Sequence, residues 1–479
     1  MPHLRSPFAR NALALCTLAL AAILSMPLDA FAHASGRGFV LLLPTGHYMV
    51  GGAVAVAASF AVLLAVPARH AWRLARWRLD LFALRFDERG ATSLASFVVL
   101  AILVSAGFTG SPDPLSNPLP LAVWSLFWIG FTLAIGMFGN LFAWLNPWYG
   151  PYVLVQRLTR REQPAGSAAP GALASLGYLP AIILFTGFAW FEIVDLSPAD
   201  PYRLAIVVSL YWLLNFIAIL AFGYDSWTER GECFSAFYRL ISRLSIFERT
   251  VDGRLRLCLP AGKLHGAAPL PPSGVVFLLL VLATVSFDGF SLTFFWLGVV
   301  GVNPLEFPGR SAVVGINSLG LLGMALLLCA TFFLAVWSGE RLAGGGNVRR
   351  AAGLLVWSIV PIALAYHVAH YLVALLVNGQ YALAALSDPF SRGWNLFGTA
   401  DNYISAGLVM GAQSAWVLWN LQAFAIVGGH VLAVFVAHGI AARLHGTRRH
   451  AMLSQVPLTG LMIAYTIFGL WLLSAPTAA

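Results

Sequence analysis

A few ionisable side chains lie in stretches of this chain that are otherwise too apolar to carry them. Their types and spacing are the first chemical signal. His367 and His370 occur in Tyr-His-Val-Ala-His-Tyr, three residues apart, a spacing that puts both imidazoles on one helix face. Asp288 sits in Ser-Phe-Asp-Gly-Phe-Ser, and His430 lies within a later apolar run. Two imidazoles, a third from His430 and the Asp288 carboxylate form a donor set for a divalent ion such as zinc or copper. A metal with an open position lowers the pKa of bound water towards ~7 and so supplies a hydroxide nucleophile at neutral pH. Glu192 and Asp195, in Trp-Phe-Glu-Ile-Val-Asp, are the candidate general base or catalytic carboxylates beside it. His47 opens the first long apolar run after the N-terminal one, and His33 follows a small-x-small sequence. As a free N-terminus, His33 would chelate copper through its amine and imidazole, so both are further metal candidates.

A plainer reading stands beside each of these. His-x-x-His is a weak motif, and histidines within membranes often hydrogen-bond across helices. His430 lies deeper than the others, and bis-histidine haem ligation between its helix and that of His367 and His370 stays open. His438, beside Arg443, reads as packing, and His70, His265, His445 and His450 belong to basic loops. Cleavage before His33 is compatible with a histidine that does nothing further.

The elements that would position these groups follow from composition. Of 479 residues, 59% are hydrophobic and 10% charged, against roughly 25% charged in soluble domains. No soluble shell hides that much apolar surface. About 20 apolar residues in helix cross the hydrocarbon core. Runs of that kind lie near 46–66, 92–108, 120–143, 173–193, 203–222, 273–295, 312–337, 352–376, 415–441 and 455–473. The fold class is therefore all-α, a polytopic transmembrane bundle of about ten helices in a lipid bilayer.

Residues 1–32 read as a cleaved signal peptide, with Arg5 and Arg10, an apolar stretch from Ala12 to Met26, and Ala30-Phe31-Ala32 as the cleavage site. Residues 33–479 then form one transmembrane domain. With the mature N-terminus periplasmic and sides alternating through ten helices, 22 of the 28 basic residues fall in cytoplasmic loops. The periplasmic segments hold only Arg37, Arg203, Arg310 and Arg392. This is the positive-inside bias; it predicts a bacterial inner-membrane protein with both mature termini periplasmic. The net charge of +9 thus reports topology, and no nucleic-acid partner is implied. In this orientation His367, His370, Asp288, Glu192, Asp195 and His47 share the periplasmic half of the membrane, with His430 near its middle. Cys16 leaves with the signal, Cys233 and Cys258 are cytoplasmic, and Cys329 is intramembrane, so no structural disulfide is expected.

The longest cytoplasmic segment, 223–272, offers helical spacing of Phe234, Phe237, Tyr238, Ile241 and Leu244, suited to a short amphipathic helix on the inner surface. An Asp252-Gly253 turn between alternating residues signals a hairpin. A structured connector beneath the bundle is favoured over a regulatory module. No phosphate-binding Gly-x-x-x-x-Gly-Lys loop and no Gly-x-Ser-x-Gly elbow occur.

Several stretches resemble a group of bacterial polytopic membrane proteins known as fenitrothion hydrolases. They are Ala32-His33-Ala34-Ser35-Gly36, Asn146-Pro147-Trp148, Trp190-Phe191-Glu192, Tyr224-Asp225-Ser226-Trp227, Phe287-Asp288-Gly289-Phe290-Ser291 and His367-Val368-Ala369-His370-Tyr371. The resemblance implies membrane-bound hydrolysis of an organophosphorus triester at its aryl ester bond, and it assigns no residue a role. Residues and resemblance together lead first to a periplasm-facing, metal-dependent hydrolase acting on hydrophobic small molecules. A protein that transports or inserts copper or another metal, and a proton-coupled transporter of a small solute, are the alternatives.

Overall fold

The computed structural model describes residues 45–65, 68–83, 88–159, 175–250, 252–307, 309–405 and 411–478. Residues 1–32, expected to be a signal peptide, and His33 lie outside them.

The apolar runs are helices because a helix closes its own backbone hydrogen bonds, the only solution open to a single segment in lipid. The spans are α1 (Thr45–Ala65), α2 (Arg89–Thr109), α3 (Pro118–Phe138), α5 (Pro201–Phe222) and α6 (Pro272–Ser291). Then come α7 (Val314–Leu342), α8 (Val348–Ser387), α9 (Ala412–Leu444) and α10 (Arg448–Ser474), making nine among the described residues that are long and apolar enough to cross a membrane. The remaining expected span, α4 (Leu179–Ile193), is apolar but has only 15 residues. It rises about 22 Å, short of the ~30 Å hydrocarbon core.

Local chemistry sets the ends. Asp200 caps α5 by accepting from Arg203 N at 2.8 Å, and Pro201 starts the helix with φ already fixed. Gly223 ends α5 at φ 86°, a backbone conformation that side-chain-bearing residues rarely adopt. In α3, residues Leu121–Phe131 are wound as a π-helix, a form often found at functional sites.

The spans differ in how far they enter the bundle. Along α6, 72% of the apolar window is buried, against 11% for α1, so α6 is central and α1 peripheral. Helix α6 packs on α4, α7 and α8; α8 also packs on α3 and α9, and α1 lies against α9 and α10. The outward residues are large and apolar, among them Val50, Leu210, Leu319 and Leu326. An apolar belt of this kind fits a bilayer.

At the arginine-rich end the hairpin forms as Phe247–Arg249 and Arg254–Cys258, and it acquires a third strand, Arg78–Ala83, pairing Arg78 with Cys258 and Leu79 with Leu257. The amphipathic segment behaves differently from a surface helix. Cys233–Ile241 is a helix whose Phe234, Phe237, Tyr238 and Ile241 are all buried, and it packs on α4 and α8 beneath the bundle. Glu232 caps it, accepting from Phe234 N at 2.9 Å and Ser235 N at 2.6 Å. Burial holds the Glu232 carboxyl above its ordinary range.

Candidate functional site

Three central helices bring four polar side chains together. Asp288 stands one turn before the end of α6, His370 and Tyr371 stand in α8, and Glu192 lies at the end of α4. Nε2 of His370 lies 2.8 Å from Oδ2 of Asp288. The Tyr371 hydroxyl lies 2.8 Å from that same oxygen and 3.0 Å from Oε1 of Glu192. The result is an unbroken chain of carboxyl, phenol, carboxyl and imidazole across α4, α8 and α6.

Hydrogen-bond bookkeeping constrains its protons. A phenol carries one proton and so donates to one oxygen at a time. The other contact is satisfied only when that carboxyl itself donates to the phenolic oxygen. Asp288 Oδ2 already faces His370 Nε2, which suits an ionised Asp288 accepting from both His370 and Tyr371. Glu192 then holds the extra proton and donates to Tyr371. Moving that proton to the phenol while the phenolic proton passes to Asp288 is a balanced transfer of one proton from α4 to α6.

The surroundings fix this geometry. Arg310, in the connector after α6, donates through Nη1 to the carbonyls of Glu192 at 2.9 Å and Asp195 at 3.0 Å. A cation on the last carbonyls of a helix satisfies unpaired acceptors and opposes the helix dipole. A Cβ on Gly289 would meet Nδ1 of His370 at 3.4 Å, an ordinary contact that sets this face of α6 against the imidazole. Trp128 and Tyr371 stand ring to ring at 6.2 Å. Oε2 of Glu192 and Nε1 of Trp128 are buried without a hydrogen-bond partner among the described residues. The two ends of the chain differ: His370 keeps 33% of its side-chain surface exposed and Asp288 20%, whereas Glu192 buries its free oxygen.

The remaining candidates go elsewhere. His367 is turned to the π-helical stretch of α3, with Nε2 3.0 Å from the Trp128 carbonyl and its ring perpendicular to the Trp128 indole at 4.8 Å. His430 pairs Nδ1 with the Ile426 carbonyl one turn earlier at 2.8 Å, and its Nε2 faces no partner among the described residues. Its ring neighbours are Tyr366 and Tyr465. Asp195 forms a 2.7 Å ion pair with Arg203 and accepts from Ser197 N at 2.9 Å, which makes it a stabiliser of the α4–α5 turn. His47 is exposed on α1. Of the donor set expected for one ion, the structure joins only His370 and Asp288. Among the described residues no group of three or more His, Cys, Asp or Glu side chains is placed to hold a metal ion.

Tyr371 and Arg310 carry the site and escaped the sequence reading. Tyr371 directly follows His370 in the quoted motif, and Arg310 is one of only four basic residues assigned to the sparse side; both signals were present. No family model matches the chain, and no curated protein or solved structure matches it.

Proposed function

We propose that this chain is a proton-coupled transporter of a small solute in a bacterial inner membrane. Glu192, Tyr371, Asp288 and His370 form its proton relay. The carrying observation is the Tyr371 hydroxyl bridging Glu192 and Asp288 within a bundle of apolar helices. Ionisable groups at that depth are costly, and chains of Asp, Glu and His are how pumps and transporters move protons. The arginine-rich end is cytoplasmic by the positive-inside rule, which puts Glu192, Asp288 and His370 in the periplasmic half. The proton resides on Glu192, crosses through Tyr371, and comes to rest on the Asp288–His370 pair. The partly exposed imidazole of that pair is where solute or water exchanges it.

The test is proton uptake by proteoliposomes holding a pH-sensitive dye, under an imposed potassium diffusion potential and a panel of small organic anions, amines and sugars. Wild-type protein acidifies the lumen with at least one solute, and Tyr371→Phe does not. Equal acidification by the two proteins, or none by either across the panel, rejects this reading.

A second reading draws on the His370–Asp288 pair and on the resemblance to fenitrothion hydrolases. A carboxylate-paired, partly exposed imidazole is the arrangement of a general base, with Glu192 as general acid, for hydrolysis of a hydrophobic organophosphorus ester. Turnover of a nitrophenyl phosphorothioate that vanishes in His370→Ala selects it. Carriage or insertion of copper, and hydrolysis through a zinc or copper ion, need donors beyond the pair; stoichiometric metal in the purified protein selects those.

A further inference from the structure

At the arginine-rich end, a cavity of about 990 Å³ opens between the three-stranded sheet, the end of α3 and the buried helix Cys233–Ile241. Six cations line it: Arg76, Arg78, Arg239, Arg243, Arg249 and Lys263. Among the described residues one carboxylate, Glu248, faces them, and it is already engaged by Arg78 at 2.8 Å. Lys263 is held by the Ser242 and Phe247 carbonyls and the Ser245 hydroxyl. Arg239 and Arg243 are one helical turn apart, where like charges repel. No carboxylate among the described residues lies within ion-pair distance of either. Nη2 of Arg239 donates to the Tyr178 hydroxyl at 3.0 Å and to the Glu229 carbonyl, while its buried Nε has no hydrogen-bond partner among the described residues. Burial and the neighbouring Arg239 hold the Arg243 guanidinium below its ordinary range. An anion in the cavity would relieve the repulsion between Arg239 and Arg243 and the cost of burying the Arg243 charge.

Positive-inside bias explains why arginines gather at this end. It does not explain their convergence on one cavity whose single carboxylate among the described residues is already paired. The walls carry further information. Trp72 and Trp144 stack against Arg76 and Arg249 at 5.6 and 4.6 Å, and Phe138 and Leu145 on the rim are exposed. Exposed Met137 continues that apolar rim along the end of α3. Guanidinium forks match phosphate oxygens, and aromatic rings sit at headgroup depth.

We infer that this cavity binds a phosphate group, supplied by the headgroup of an anionic phospholipid whose chains lie along the apolar end of α3. The probes are phosphatidylglycerol, phosphatidylcholine and inorganic phosphate, each titrated against delipidated full-length protein and read by native mass spectrometry. Wild-type protein is expected to prefer phosphatidylglycerol over phosphatidylcholine. Arg243→Gln and Arg76→Gln are each expected to weaken that binding about fivefold, the effect of one basic group near an anionic headgroup. Arg76 is exposed and its replacement leaves the fold intact, so it guards against loss of Arg243→Gln to misfolding. Binding of inorganic phosphate that weakens in the same variants, with no preference between the lipids, supports the phosphate site and assigns it to a soluble ligand. Equal binding of both lipids together with no phosphate binding overturns the inference. So does phosphatidylglycerol binding unchanged in both variants.

Discussion

Tyr371 on α8 reaches Glu192 on α4 at 3.0 Å, although 179 residues separate them. That hydroxyl thus adds a polar link between the short helix α4 and the core of the bundle, on which α4 also packs. Its partner on the other side, Asp288, belongs to the most buried span.

Replacing Tyr371 by Phe removes that hydroxyl and keeps the ring. The packing against Trp128 survives, while Glu192 and Asp288 each lose a partner. Stability should fall by about 1–3 kcal/mol, the cost of buried polar groups left unmatched. Solute-dependent proton uptake should fall about 10²-fold, the low end of what a positioned proton carrier contributes. Thermal unfolding and dye-reported uptake, measured on the same preparation, check both.

Glu192→Gln tests where the extra proton resides. A protonated carboxyl shows an infrared C=O band, shifted in D2O, that an ionised carboxylate lacks. The band should be present in wild type, absent in Glu192→Gln and displaced in Tyr371→Phe. A band that persists in Glu192→Gln and disappears in Asp288→Asn would move the proton to the other carboxyl.

Gly289 carries a separate expectation. A Cβ there meets His370 Nδ1 at 3.4 Å, so Gly289→Ala fits with a small adjustment. Gly289→Leu drives the imidazole off Asp288. The Leu variant should insert and purify yet lose uptake, with the Ala variant close to wild type. A Leu variant with normal uptake would show that the His370–Asp288 contact is dispensable.

Much of this was legible in the residues, and the limit has a physical cause. The bundle follows from apolar runs of membrane length, because lipid leaves a single segment no alternative to helix. Depth follows from position along a helix, and it brings Asp288 and His370 into one layer. Azimuth does not follow: which way His367 and His430 turn depends on neighbours. The nearest acceptors were the Trp128 carbonyl in a π-helical stretch and the Ile426 carbonyl one turn back. Tyr371 is neutral and one of 13 tyrosines, so charge-based reasoning passes over it. The strand Arg78–Ala83 finds its partner at Arg254–Cys258, a pairing that no local pattern encodes.

Arg310 should matter through backbone carbonyls. Arg310→Ala leaves the Glu192 and Asp195 carbonyls without a donor and loosens the end of α4. Denaturation should show a loss of about 1–3 kcal/mol, and the carboxyl band should broaden. Arg310→Lys, which keeps one charge and a donor, should recover part of both. A variant at wild-type stability would show that the α4 terminus is held by other contacts.

Orientation is open to labelling, with one substitution for the obvious reporter. Cys233 is fully buried, so its silence towards a membrane-impermeant reagent would say nothing about sidedness. Single cysteines at exposed Ser391 and exposed Arg349 are informative. Ser391→Cys should label from the periplasm of intact spheroplasts, and Arg349→Cys only after lysis. The reverse pattern would invert the assignment.

The shortness of α4 has an electrical consequence. A helix of about 22 Å in a core of about 30 Å draws the polar interface inward by several ångströms. The turn holding Asp195, Arg203 and Arg310 lies at that recess. Where the insulating layer thins, the transmembrane voltage falls over a shorter distance. A proton passing between the water outside and the layer of Glu192 and Asp288 would therefore cross a steeper part of the membrane field than it would beside a full-length helix.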